Sequence, residues 1–188
     1  MISFDETSHI YRVAGVVKPS VTQVLSFMGV VSPFCRSIKA ANLGTELHSL
    51  LEDYDRGVLI EDALPEEHLK CLKMYRSYKR DLNPVFSDIE EVMFDEELNV
   101  CGKADRAGTN PDFIMDIKTG AIPDSARLQT AGYARMRFPL TYELAKRYCV
   151  QVNPKLKTYK IKAYDDPRDY IEWENLCKNY WEEIARTS

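Results

Sequence analysis

The segment from Cys101 to Gly120 (CGKADRAGTNPDFIMDIKTG) constrains the fold of this chain more than any other. Phe113, Met115 and Ile117 alternate with Ile114, Asp116 and Lys118, the period of a half-buried β-strand. One face of that strand is wholly apolar, and the other ends in a carboxylate followed two residues on by a lysine. Gly108 to Pro111 has turn chemistry, so Val100 to Ala107 is the expected partner strand. A turn centred on Thr109 and Asn110 sets Asp105 opposite Ile114 and diagonal to Asp116, on the same face. Diagonal neighbours lie roughly 7–8 Å apart, close enough for two carboxylates to reach one hard cation. Two acids and a lysine converging at a strand end are the donor set of a metal-dependent hydrolytic site.

The rest of the chain reads as one compact αβ unit spanning residues 1–188, without repeats or a linker. Ile2–Phe4 and Ile10–Val13 form a short hairpin, and Ser20 with Gln23 is a capping box opening the first helix. A second helix runs from Pro33 to about Tyr54, with Leu43, Leu47, Leu50 and Tyr54 as its core stripe and Gly44, His48 and Glu52 on an adjacent face. Helices are also expected over 65–82, 125–138 and the C-terminal stretch whose stripe is Tyr170, Trp173, Leu176, Tyr180 and Ile184. Strands fall near 88–95, 98–107, 112–118, 147–152 and 158–164. The fold class is therefore α/β (α+β), a central mixed sheet flanked by helices.

Composition narrows the class further. A hydrophobic fraction of 45% and eleven tyrosines suit a globular chain and exclude a disordered one. No apolar run approaches the roughly 20 residues that cross a bilayer, and no signal peptide precedes Ile2. Five scattered cysteines, at 35, 71, 101, 149 and 177, read as reduced, mostly buried thiols of an intracellular, cytoplasmic protein. The net charge is −4, yet Lys118 to Lys162 holds ten lysines and arginines against only Asp124 and Glu143. That uneven distribution is the electrostatic footprint of a phosphate-backbone reader.

Asp105 with Asp116-Ile117-Lys118 resembles the acid and acid-x-Lys signature of the PD-(D/E)xK nuclease superfamily. Three further segments fall in the order of its RecB-like branch. Gly44 to Glu52 is similar to that branch's Gly-x-x-x-His…Glu helix, and Gln129 to Tyr133 to its Gln-x-x-x-Tyr helix. Pro19 to Leu25 resembles the opening of phage-encoded members and of the mitochondrial genome maintenance exonuclease. The resemblance covers nearly the whole chain and implies a restriction-endonuclease-like core. It also implies a Mg²⁺- or Mn²⁺-dependent DNA exonuclease acting on single-stranded ends in replication, recombination or repair, in the host cytoplasm if the chain is phage-encoded. Some RecB-like nucleases carry an iron–sulfur cluster on four cysteines, three of them closely spaced near the C-terminus. Cys149 and Cys177 are too far apart for that, so no cluster and no structural zinc are expected.

The resemblance assigns roles residue by residue. Asp105, Asp116 and the Ile117 carbonyl hold the principal metal, with His48 and Glu90 completing it or holding a second. Spacing favours Glu90 over Glu91, and only one of two successive strand residues faces inward. Glu52 orients His48 or the lysine. Lys118 orients the attacking water, Gln129 bonds near Lys118 or the scissile phosphate, and Tyr133 stacks on or bonds to the strand, with Gly132 allowing close packing on the sheet. Ser20, Thr22, Arg127, Arg135 and Arg137 are expected on backbone phosphate, whereas His9 and His68 read as surface residues. The partner is DNA, with a recombination or replication protein as a further candidate. Two rivals stand beside this reading: a structure-selective endonuclease using the same residues, and a DNA-binding module with a decayed site.

Overall fold

The computed structural model describes residues 1–31 and 38–187. Three short strands, β1 (Ile2–Asp5), β2 (Ile10–Val13) and β3 (Val16–Lys18), form an antiparallel sheet in that order. β3 was not expected, because three residues after Ala14-Gly15 carry no readable period. Helix α1 (Val21–Phe27) starts at Ser20, whose Oγ accepts from the Gln23 N–H while Gln23 Oε1 accepts from the Ser20 N–H. This is the reciprocal cap read from the sequence. Helices α2 (Ile38–Arg56) and α3 (Glu66–Leu82) follow. The helix start expected at Pro33, and Cys35, lie outside the described residues.

The second half of the chain builds a five-stranded sheet from β4 (Asp88–Asp95), β5 (Val100–Gly108), β6 (Phe113–Lys118), β7 (Lys146–Gln151) and β8 (Lys160–Tyr164), in that spatial order. All neighbours are antiparallel except β6 and β7, which run parallel. A parallel pair needs a crossover, and helix α4 (Ala126–Arg137) supplies it. A single 3-10 turn (Tyr142–Leu144) precedes β7, and α5 (Arg168–Thr187) ends the chain.

The alternation along β6 separates two cores. Ile114 packs with Val24 and Leu25 of α1, Leu128 and Ala131 of α4, and Tyr170 and Trp173 of α5. Phe113, Met115 and Ile117 pack with Leu47 and Leu51 of α2 and with Leu72 and Tyr75 of α3. Helices therefore cover both faces of a mixed sheet, as the strand and helix pattern required. Among the described residues no helix is long and apolar enough to cross a membrane. Cys71, Cys101, Cys149 and Cys177 are buried thiols without a disulfide.

Gly132 does not face the sheet. A β-carbon there would lie 2.9 Å from the ring of Trp173, which is fully buried; the glycine lets α4 and α5 approach each other. Gly132→Val is expected to destabilise the fold by about 1–3 kcal/mol through overpacking, read as a lower urea midpoint at unchanged slope.

Candidate active site

The β5–β6 register pairs Arg106 with Met115, Ala107 with Ile114 and Gly108 with Phe113. The connecting turn thus takes Thr109 to Asp112, and the next step of the same register sets Asp105 across from Asp116, not from Ile114. Both acids share a face, as expected, but as direct neighbours. There the sheet forks: β5 continues along β4 as far as Val100, while β6 continues along β7 to Lys118. At the fork Asp105 Oδ2 accepts the Ile117 N–H at 2.5 Å, so the side chain satisfies a strand donor at the point where the β5–β6 ladder ends.

The other oxygen of Asp105 lies 3.4 Å from His48 Nδ1 on α2. Donor atoms of His48, Glu90 and Asp105 all fall within 4.8 Å of one another. Glu90 joins them from within β4, where it adopts φ 54°. Non-glycine residues rarely occupy that left-handed region. It leaves the Glu90 side chain 9% exposed, against 49% for Glu91, which faces Arg137 at 3.5 Å.

Two cations hold Glu90: Lys103 Nζ at 3.0 Å and Arg106 Nη1 at 3.2 Å. Arg106 is fully buried and donates through Nε to Asp55 at 2.7 Å. Asp55, on α2, also accepts from Tyr75 Oη at 2.5 Å and from Lys79 at 2.9 Å. Sequence reasoning missed Asp55, Lys103 and Arg106. The available signal was that Asp55 lies two helical turns beyond His48, and Arg106 directly after Asp105.

Asp116 stands apart from the three-residue group. Its Oδ2 lies 2.6 Å from Lys118 Nζ, and Cys149 Sγ donates to it at 3.5 Å. Lys118 also donates to Gln129 Oε1 at 3.0 Å, and Gln129 Nε2 donates to Tyr133 Oη at 3.0 Å. The Tyr133 ring lies over β5 at Gly102, where a β-carbon would come within 2.8 Å of it. Asp116, Lys118, Gln129 and Tyr133 thus form one hydrogen-bonded line from strand to helix.

Charge follows from this packing. Asp105 raises the His48 pKa to about 9 against the opposing effect of burial. Burial pushes the Asp105 carboxyl up, but His48, Lys118 and the Ile117 N–H hold it down at about 2. Burial raises Asp116, and burial with the nearby Asp105 charge raises Glu90. Burial works against the Lys118 ammonium, yet Asp116 and Asp105 keep its pKa above the ordinary value. An imidazolium and an ammonium therefore balance clustered acids, and a cation entering among them would take over part of that role. Two carboxylates and an imidazole nitrogen suit a hard or borderline divalent ion.

Other expected residues are placed elsewhere. Glu52 pairs with Arg56 at 2.9 Å, not with His48. His68 packs against Glu46 at 3.2 Å with a side chain only 12% exposed, so it is not a surface residue. Ser20 caps α1 and meets the Thr22 hydroxyl at 3.1 Å. Arg127 is engaged by Asp169 and by both carboxylate oxygens of Glu172. Arg135 is engaged by Asp95, Glu97 and Glu174, and Arg137 by Asp88 at 2.7 Å. These three arginines have carboxylate partners within the fold, a pairing that the linear charge count could not register.

Compared with solved structures, the chain is similar to a candidate exonuclease from Eubacterium rectale. The TM-score is 0.54 at 13% identity, over 87% of this chain and 72% of that one. At that identity the likeness shows a shared fold, a mixed sheet flanked by helices. An alkaline exonuclease from Laribacter hongkongensis matches at TM-score 0.45 and 12% identity, over 90% of this chain and 89% of that one. A phage-related exonuclease from Haemophilus somnus matches at TM-score 0.36 and 12% identity, over 91% and 96%. No protein-family model and no curated protein matches the sequence.

Tyr133→Phe removes the hydroxyl that accepts from Gln129. It is expected to cost about 1 kcal/mol of stability by leaving a partly buried amide donor unpaired, measurable by urea unfolding.

Proposed function

We propose that this chain is a Mg²⁺- or Mn²⁺-dependent deoxyribonuclease that hydrolyses phosphodiester bonds at single-stranded DNA ends, in replication, recombination or repair. The observation that carries the reading is the convergence at the sheet fork. His48, Glu90 and Asp105 bring donor atoms within 4.8 Å, beside a lysine held by Asp116 and Gln129. The fold supports the same reading.

His48, Glu90 and Asp105 would hold the metal, with Asp116 and the Ile117 carbonyl as further ligands. When bound, the ion polarises the scissile phosphate and acidifies a coordinated water. Asp116 and Asp105 raise the Lys118 pKa against the effect of burial and so favour the ammonium. In that form it acts as a hydrogen-bond donor and a positive charge beside the site. Gln129 fixes the direction of that ammonium, and Tyr133 fixes Gln129 in turn. Lys118 so held orients the water and offsets charge gathering on the phosphate. The resemblance to the nuclease superfamily implies in-line attack that leaves 5′-phosphate and 3′-hydroxyl ends.

The test is incubation with linear and circular single-stranded DNA, labelled at either end, with Mg²⁺, Mn²⁺ or EDTA. Metal-dependent loss of the linear substrate alone is the expected result, and the label released first gives the polarity. Cutting of the circle would make the enzyme an endonuclease. DNA binding without cleavage in any metal would overturn the reading in favour of a binding module.

Asp105→Asn and Lys118→Met are each expected to slow cleavage by at least about 10²–10³-fold, with folding monitored by circular dichroism. Near-normal turnover in either would remove that residue from the mechanism.

A further inference from the structure

Once Arg127, Arg135 and Arg137 are paired within the fold, the unspent positive charge of the basic stretch lies in the β7–β8 hairpin. Lys155, Lys157 and Lys160 are exposed and make no ion pair among the described residues. Lys162 is also exposed, and among the described residues its carboxylate neighbour is Asp124 at 3.8 Å.

Sheet register ties these lysines to the site. Lys118 pairs with Gln151, and Gln151 with Lys160. One rung further back, Asp116 pairs with Cys149 and Cys149 with Lys162. Directly paired residues project to the same face of a sheet, and the 3.5 Å contact between Cys149 and Asp116 fits that rule. Lys160 and Lys162 thus extend the face that carries Asp116 and Lys118. Two strand spacings set Lys160 about 10 Å from Lys118.

The loop beyond is braced at both sides. Gln151 Nε2 donates to the Gly120 carbonyl and Asn153 Nδ2 to the Thr119 carbonyl, both at 2.5 Å. Leu156 and Tyr159 are packed into the α2–α3 core, and Tyr159 Oη donates to Asp81 at 3.1 Å. Lys155 and Lys157 flank the anchored Leu156 and remain exposed.

We propose that Lys155, Lys157 and Lys160 form a phosphate-backbone track leading away from Lys118. They would contact the single strand a nucleotide or more from the bond being cut. The inference rests on the nuclease reading above but concerns binding, not chemistry. Lysines on an open sheet edge also discourage pairing with another chain, which by itself accounts for Lys160 and Lys162. Lys155 and Lys157 lie on the loop, outside that explanation.

The test is fluorescence anisotropy of a labelled thirty-nucleotide single strand in EDTA, where cleavage is suppressed, across a range of salt concentrations. The variants are the triple Lys155→Ala, Lys157→Ala, Lys160→Ala and, separately, Lys146→Ala. Lys146 is an exposed lysine at the opposite end of β7, paired with Phe113, and serves as the matched charge control.

Each phosphate contact on a single strand contributes about 0.7 to the slope of log K against log salt. The triple variant is therefore expected to lose about 2 from that slope, and on the order of tenfold or more in affinity near physiological salt. Lys146→Ala is expected to match the parent. A parental slope in the triple variant would overturn the track while leaving the nuclease reading intact. So would an equal loss per charge from Lys146→Ala, since the effect would then be net charge alone. A parent chain that binds no single strand at any salt would overturn both.

Discussion

The arrangement depends on one hydrogen bond, from the Ile117 amide to the Asp105 carboxylate. A sheet that splits must leave strand donors and acceptors unpaired, and burying them unsatisfied is costly. Here an acidic side chain takes the place of the missing strand. The same carboxylate faces His48 with its other oxygen, so the group that makes the fork tolerable also starts the cluster of donors. Fold and site share a residue, and Asp105 cannot be optimised for one without the other.

Charge in this chain has two separate uses. The arginines of α4 and β7 are paired with carboxylates of the fold, and Arg147 illustrates it best. It is buried and paired with Asp169 at 2.9 Å, while its guanidinium donates to the Arg127 carbonyl. Acids of α5 and β4 hold these residues, so the basic stretch and the acidic C-terminal helix are largely two halves of one packing arrangement. The hairpin lysines carry charge that the fold does not consume. Counting residues along a linear stretch merges the two populations.

Much of this was legible in the sequence, for identifiable reasons. Period-2 alternation in Phe113 to Lys118 identified the strand, but the half-buried strand it suggested is buried on both faces, because each β6 face meets a different helix layer. The Ser20–Gln23 cap and the stripe of α5 were readable because their spacing is local. The face shared by Asp105 and Asp116 was right, but the register was not. Loop length sets register, and a four-residue turn cannot be told from a two-residue one by composition alone. Glu90 lies nearer the cluster than Glu91, although its positive φ has no sequence signal. The carboxylate and guanidinium partners of Glu52 and the three arginines were not legible, because partners such as Arg56, Asp88 and Glu172 are chosen by tertiary packing among many equivalent charges.

Asp55 and Arg106 have a consequence for how the site keeps its dimensions. The candidate donors come from three elements, α2, β4 and β5, far apart along the chain. Asp55 sits two turns beyond His48 on the same helix, and Arg106 one residue beyond Asp105 on the same strand. Their buried pair therefore runs alongside the His48–Asp105 contact as a second tie between the same helix and strand, and Arg106 reaches Glu90 as well. Two ties fix both separation and tilt, where one would leave a hinge. The spacing among the donors is thus a dimension of the scaffold, maintained whether or not anything lies between them.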